Sequence, residues 1–169
     1  IRHARFEQSI KSGEATIETR ALVLIAPSPK GRMMRSLNDI HEEYDFLDGD
    51  ERYRLLIELG RELDPMPDAL KTDATRVRGC SASVWVYPTQ GDDGTLHFLA
   101  DSNAAITKGI VALVLSAVQD EPARVVADTD IAALLEPFDL KNQLSSNRTQ
   151  GVPNMIALIR ETAGRYATE

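Results

Sequence analysis

Ser83-Val84-Trp85-Val86-Tyr87, Gly91-Asp92-Asp93-Gly94 and Thr95-Leu96-His97-Phe98-Leu99-Ala100 follow one another closely and decide the fold. The outer two pieces are rich in β-branched and aromatic residues, which suit a pleated, half-buried surface. The middle piece is turn chemistry, two glycines around two aspartates. So short a link makes the pair antiparallel, because parallel strands need a crossover of a dozen or more residues. Upstream, Thr75-Arg76-Val77-Arg78 alternates weakly and predicts a further strand, so the three segments read as a meander. Successive turns of a meander lie at opposite ends of the sheet. The link Gly79 to Ser83 therefore occupies one end and Gly91 to Gly94 the other.

Cys80, the only cysteine of the chain, lies in that first link. Two readings stand side by side. Sulfur attacks and binds metals as the thiolate, and cationic neighbours such as Arg76 and Arg78 lower a thiol pKa from about 8.5. Against this, free cysteine is among the most buried residue types and packs as a small hydrophobe. A single cysteine excludes an internal disulfide framework and every multi-cysteine metal site, and it fits a reducing cytoplasm.

Helical periodicity flanks the sheet on both sides. Asp48 and Glu51 have capping-box spacing, and Tyr53, Leu56, Ile57 and Leu63 recur on one face, widened by Leu55 and Leu59. Pro65 and Pro67 stop that helix. Downstream, Ala104, Ile106, Ile110, Val111, Leu113, Val114 and Val118 cover most of a helix circumference, which predicts a deeply buried helix capped by Asp101 or Ser102. Thr129 is placed to cap a short helix from Ile131 to Leu135. Pro153 suits the first turn of a last helix carrying Met155, Ile156, Leu158 and Ile159.

Composition bounds the function. At 169 residues, 43% hydrophobic and 27% charged, the chain is an ordinary globular domain with room for one core. A net charge of −7 argues against nucleic acid and anionic membranes, whose binders draw affinity from a basic face. The apolar run Ala21 to Ala26 falls far short of the ~20 residues of a spanning helix. His3, His41 and His97 share no metal-ligand spacing with one another or with Cys80, and no Gly-rich phosphate loop is present. His97 alternates with apolar neighbours and reads as a solvent-side or satisfied residue rather than a base. The breaker-rich Pro27-Ser28-Pro29-Lys30-Gly31 and the pair Met33-Met34 mark a seam. Residues 1–34 read as an N-terminal extension or arm, and residues 35–169 as the domain.

Arg78-Gly79-Cys80-Ser81-Ala82-Ser83-Val84-Trp85 resembles the cysteine signature of the SufE family, sulfur acceptors for cysteine desulfurases. Further stretches match in the same order: Asp101-Ser102-Asn103-Ala104-Ala105-Ile106-Thr107-Lys108-Gly109, then Leu140 to Leu144, then Asn147-Arg148-Thr149-Gln150-Gly151. The helix with Tyr53, Leu56, Ile57, Leu59 and Gly60 also fits, so the resemblance spans Leu37 to Ala163 and leaves residues 1–32 outside.

The resemblance implies an α+β fold, a small antiparallel sheet packed against helices, similar to the scaffold protein of iron–sulfur cluster assembly. It implies that Cys80 takes the outer sulfur of a persulfide held by a pyridoxal-phosphate-dependent cysteine desulfurase of the SufS or CsdA kind, and passes it to an iron–sulfur scaffold. The chain would then be a carrier and activator in the cytoplasm rather than a stand-alone enzyme, with no cofactor or metal of its own. Arg78, Gly79, Ser81, Asp101 and Arg148 become partner-binding or loop-supporting residues. Asp101 caps the central helix or orients the loop, and Arg148 pairs with a desulfurase carboxylate or braces the fold. Gly109 serves close packing, and Trp85 belongs to the core or shelters the thiol. Two competing classes remain at this point: a redox-sensing thiol acting through a sulfenic acid at Cys80, and an interaction module with an incidental cysteine.

Overall fold

The computed structural model describes residues 34–168. The expectation of an arm over residues 1–34 falls almost entirely outside them. Helices α1 (Leu37–Phe46) and α2 (Gly49–Arg61) come first, followed by a 3-10 turn at Asp68–Leu70. Strands β1 (Val84–Gln90) and β2 (Thr95–Ser102) form the hairpin, and α3 (Ala105–Ser116) runs on from it. Strand β3 (Glu121–Pro122) and helix α4 (Ala123–Asp128) lead to α5 (Ile131–Leu135) and a 3-10 turn at Glu136–Phe138. Short helices α6 (Leu140–Gln143) and α7 (Ser146–Thr149) precede the long last helix α8 (Val152–Ala167). The result is the expected α+β architecture.

The hairpin runs in register from Val84↔Ser102 to Gln90↔Leu96, and its pleat divides two cores. Val84, Val86, Leu96, Phe98 and Ala100 face the main core with Ile110, Val111 and Leu113 of α3. On the opposite face Leu99 packs with Met66 and Leu70, flanked by half-buried Trp85 and Tyr87. Trp85 is thus core, but of the smaller cluster. Helix α3 is buried on nearly every side, with Ile110 to Leu115 fully enclosed. Each such side chain contributes roughly 1.5–3 kcal/mol of burial.

Helices α2 and α3 touch backbone to backbone. A Cβ on Gly109 would stand 2.0 Å from the Leu56 carbonyl oxygen, and one on Gly60 would stand 2.8 Å from the Gly109 nitrogen. The expected packing role of Gly109 is therefore literal. The predicted capping box of α2 is present, with the Asp48 side chain on the Glu51 N–H and the Glu51 side chain on the Asp48 N–H.

Three local expectations are corrected. Thr75 to Arg78 does not form a full strand. It makes one bridge, Arg76↔Trp85, with Val77 N–H on the Val84 carbonyl and Val86 N–H on the Thr75 carbonyl. Only Val77 of this segment is buried, so no alternating apolar row holds it to the sheet. The third strand is instead Glu121–Pro122 beside β2. It escapes a propensity reading because Glu and Pro are both depleted in strands and Pro is confined to edges. Its pairing is set by the exit of α3: the Gln119 side chain clamps both backbone groups of Phe98, at 2.8 and 2.9 Å.

Neither Asp101 nor Ser102 is the N-cap of α3; that position is Ala104. Asp130 rather than Thr129 caps α5, its carboxylate accepting from the Ala133 N–H at 3.1 Å. For α5 two adjacent polar residues were equally placed in sequence, whereas α3 begins at an alanine that makes no side-chain cap bond.

Candidate functional site

Residues Arg78 to Ser83 form the loop at the Ser102 end of the hairpin, away from the Gly91 to Gly94 turn. The ladder closes its base through Val77 and Val84, 2.8 Å apart. Beyond that base one further backbone bond, from the Asn103 N–H to the Ser83 carbonyl at 3.3 Å, ties the end of the loop to the β2–α3 junction. Hydrogen bonds to three other parts of the chain, each involving a side chain, hold it.

Ser83 is held from the β2–α3 junction. Its N–H donates to Asn103 Oδ1 at 3.0 Å, and its carbonyl accepts from Ser102 Oγ at 2.8 Å. Ser81 Oγ donates to the Asn147 carbonyl in α7 at 2.6 Å. Asn154 Nδ2 in α8 donates to the Arg78 carbonyl at 2.9 Å. Gly79 between them adopts φ +81, which glycine reaches without steric penalty. Its missing side chain also makes room, since a Cβ there would stand 2.3 Å from Asn154 Nδ2.

Cys80 is half-buried and packs against the main core. Its sulfur rests on Gly151, the residue that opens α8. A Cβ on Gly151 would stand 2.1 Å from Cys80 Sγ and 3.1 Å from the Cys80 Cα and Cβ. Burial pushes the Cys80 thiol above its ordinary pKa, and the Arg76 guanidinium opposes this more weakly. The resting sulfur is therefore the protonated thiol at neutral pH, a poor nucleophile until the burial is relieved. Among the described residues no group of three or more His, Cys, Asp or Glu could hold a metal ion.

The expected site residues separate into two places. Arg78, Gly79 and Ser81 lie in the loop with Cys80. Arg148 lies one residue beyond the Asn147 carbonyl that anchors Ser81, and its exposed guanidinium covers the Tyr53 ring at 5.3 Å. Asp101 lies on the outer sheet face opposite Trp85. Burial would raise its carboxyl, but hydrogen bonds from Lys71, the Ser102 N–H and Lys108 outweigh it and hold it below the usual carboxylate range. Lys71 Nζ stands 2.6 Å and Lys108 Nζ 3.2 Å from it, and the Ser102 N–H donates at 2.8 Å. Asp101 thus supports the loop at one remove, by fixing Ser102. His97 is engaged at both ring nitrogens, with Asp64 at 2.8 Å and Asp120 at 2.7 Å, far along the hairpin from the thiol.

Residue-by-residue reading missed roles for Ser102, Asn103, Asn147, Gly151 and Asn154. The first four stand inside stretches already singled out, but their partners are 19 to 71 positions away and no local pattern names them. Asn154 carried no sequence signal at all.

Comparison with known proteins bears on the family and the fold. The family described as SufE, Fe-S metabolism associated domain, matches residues 38–163. An uncharacterized SufE-like protein of Rhizobium etli is 38% identical over 141 residues, covering 80% of this chain and 95% of its own. The sulfur acceptor protein CsdE of Escherichia coli is 37% identical over 103 residues, covering 61% of this chain and 70% of its own. The solution structure of a hypothetical protein from Thermus thermophilus superposes with a TM-score of 0.64 at 16% identity, over 79% of this chain and 96% of that one. That likeness concerns the fold alone. By sequence, the chain belongs to the SufE family.

Proposed function

We propose that this protein is a sulfur acceptor and activator for a pyridoxal-phosphate-dependent cysteine desulfurase, with Cys80 as the accepting thiol. The observation that carries the reading is the seat of Cys80. The chain's only thiol is half-buried in a loop at one end of the sheet, held by polar side chains rather than by the ladder. Sulfur acceptance is an exchange at a sulfur–sulfur bond. Cys80 loses its proton to solvent or to the partner's base, and its thiolate attacks the outer sulfur of the partner's Cys–S–SH. The bond between the partner's two sulfurs breaks and the partner leaves as a thiolate. The product is Cys80–S–SH, and no external oxidant or reductant is consumed.

The absence of a second cysteine suits the task, because a neighbouring thiol would discharge the persulfide as a disulfide. The small side chains of Ser81 and Ala82 limit obstruction around the sulfur. The burial that keeps the resting thiol protonated and sheltered means that the loop opens on the partner, which turns encounter into activation. Arg78 and Arg148, both exposed at this end, are the proposed partner contacts. The sulfur then passes to an iron–sulfur scaffold, and residues 35–169 are the working unit, acting in the cytoplasm. A peroxide sensor needs an accessible, low-pKa thiol. Cys80 is half-buried against Gly151 and becomes accessible only where a partner opens the loop, which suits transfer within a complex better than reaction with a diffusing oxidant.

The test is incubation with a desulfurase and free cysteine, followed by mass spectrometry of the intact chain. The expected result is a gain of one sulfur atom on Cys80, and stimulation of the desulfurase that Cys80→Ser abolishes while circular dichroism stays unchanged. Undiminished stimulation by Cys80→Ser would overturn the reading.

A further inference from the structure

Gly151 has φ −84 and ψ −9, a right-handed helical conformation open to every L-residue. Its backbone does not require glycine. Its surroundings do, because the atom a Cβ would strike first is the Cys80 sulfur at 2.1 Å. The loop shows the reciprocal arrangement. Gly79 leaves space for Asn154, whose amide then reaches the Arg78 carbonyl at 2.9 Å. Positions 151 and 154 are three apart at the start of one helix and so share a face. That face presents a recess for the sulfur and a donor for the backbone two residues before it. Asn154 itself is exposed, so its amide is not there to fill the core.

We infer that Gly151 and Asn154 are positioning residues that seat the Cys80 thiol against the last helix and so set how readily it reacts. The inference rests on Cys80 being the reacting thiol proposed above. Neither residue touches the incoming sulfur. Gly151 admits Cys80 to its half-buried place, and Asn154 holds the loop there. Weakening either shifts the loop toward its open form and exposes the sulfur without any partner present. The raised pKa of the seated thiol gives the displacement a second signature, since leaving the seat removes the burial that raises it.

The experiment alkylates Cys80 in the purified chain with iodoacetamide across a pH series, for wild type, Gly151→Ala, Asn154→Ala and the control Glu161→Gln further along the same helix. Asn154→Ala should accelerate alkylation about two- to tenfold, the change that losing one net hydrogen bond makes in a two-state equilibrium. Gly151→Ala should accelerate it more, and in both variants the midpoint of the pH profile should fall. Glu161→Gln should match wild type. Melting temperature supplies the coupling: the loss caused by Gly151→Ala should be largely relieved in a Cys80→Ala background, where the sulfur it strikes is absent. Alkylation rates and midpoints indistinguishable from wild type in both variants would overturn the inference. If Gly151→Ala fails to fold, Asn154→Ala decides by the same criterion. Because no desulfurase is present, this readout is independent of sulfur acceptance. The carrier proposal falls on Cys80→Ser, and the positioning inference falls on alkylation.

Discussion

Replacing Asp101 by Asn tests whether the ion cluster on the outer sheet face braces the thiol end of the molecule. The Asp101 side chain is 19% exposed and that of Lys71 is 22% exposed, so solvent screens their 2.6 Å contact only in part. Asn keeps the shape and one acceptor for the Ser102 N–H, but turns an amide donor or a neutral oxygen toward two ammonium groups. Losing charge-assisted bonds of this kind costs about 1.5–3 kcal/mol. For a domain of this size that is a fall in melting temperature of roughly 3–12 °C at pH 7. The pH dependence fixes the cause. The carboxyl of Asp101 is held below its usual range in the fold, so its contribution is full above the unfolded value near ~3.9 and is lost as pH falls through the folded value. The gap between wild type and Asp101→Asn should therefore narrow progressively below about pH 4. Circular dichroism melts at intervals from pH 7 downward measure it. A gap that stays constant over the acid range would show that Asp101 acts by shape rather than charge, and the bracing argument would fail. Because Asp101 fixes Ser102, and Ser102 holds the Ser83 carbonyl, Cys80 alkylation should also quicken in the variant.

Gly109→Ala should be among the most damaging single-methyl changes in the molecule, since its Cβ would stand 2.0 Å from the Leu56 carbonyl oxygen. Forcing α2 and α3 apart should cost about 3 kcal/mol or more, read as a lower urea midpoint; a loss below about 1 kcal/mol would contradict the backbone contact. The unmodified chain should alkylate at Cys80 with a pH midpoint above that of a free cysteine peptide, as burial dictates. The same shift makes the fold lose stability as pH rises through the folded thiol value, a loss that Cys80→Ser removes; equal alkaline profiles for the two proteins would refute it. Deleting residues 1–33 should leave melting temperature and desulfurase stimulation nearly unchanged, and a large fall in either would assign the segment to the working unit.

What the sequence made legible was whatever it wrote in local periodicity. The capping box at Asp48 and Glu51, the hairpin around Gly91 to Gly94 and the all-round apolarity of α3 are patterns within a few residues, and each stands in the fold as read. Position along the sheet followed too, because consecutive turns of a hairpin must alternate ends. What stayed hidden was pairing across distance. Glu121–Pro122 pairs with β2 where the Gln119 side chain bonds Phe98 and the Asp120 N–H bonds the Leu96 carbonyl, contacts that lie some twenty residues apart in sequence. Asp101 reads as a cap by position, but Lys71, thirty residues earlier, claims its carboxylate. Gly151 reads as a helix-start glycine until the Cys80 sulfur is placed on it.

The two ends of the energy scale in this molecule are arranged so that the thiol can move while the fold does not. The core around α3 is close-packed, and the α2–α3 contact runs backbone against backbone, so neither relaxes without unfolding. The Cys80 loop is held differently. Its ties to Ser102, Asn103, Asn147 and Asn154 are hydrogen bonds between a side chain and the backbone, with one backbone bond besides, from the Asn103 N–H to the Ser83 carbonyl, and each is worth about 0.5–1.5 kcal/mol net. Together the ties amount to a few kcal/mol, below the roughly 5–15 kcal/mol that holds a whole domain folded. Local opening of Arg78 to Ser83 is thus accessible well before global unfolding. Hydrogen exchange in the free protein should show the amides of residues 79–82 opening at lower free energy than those of Val77 and Val84, and equal opening energies would refute a loop that opens on its own.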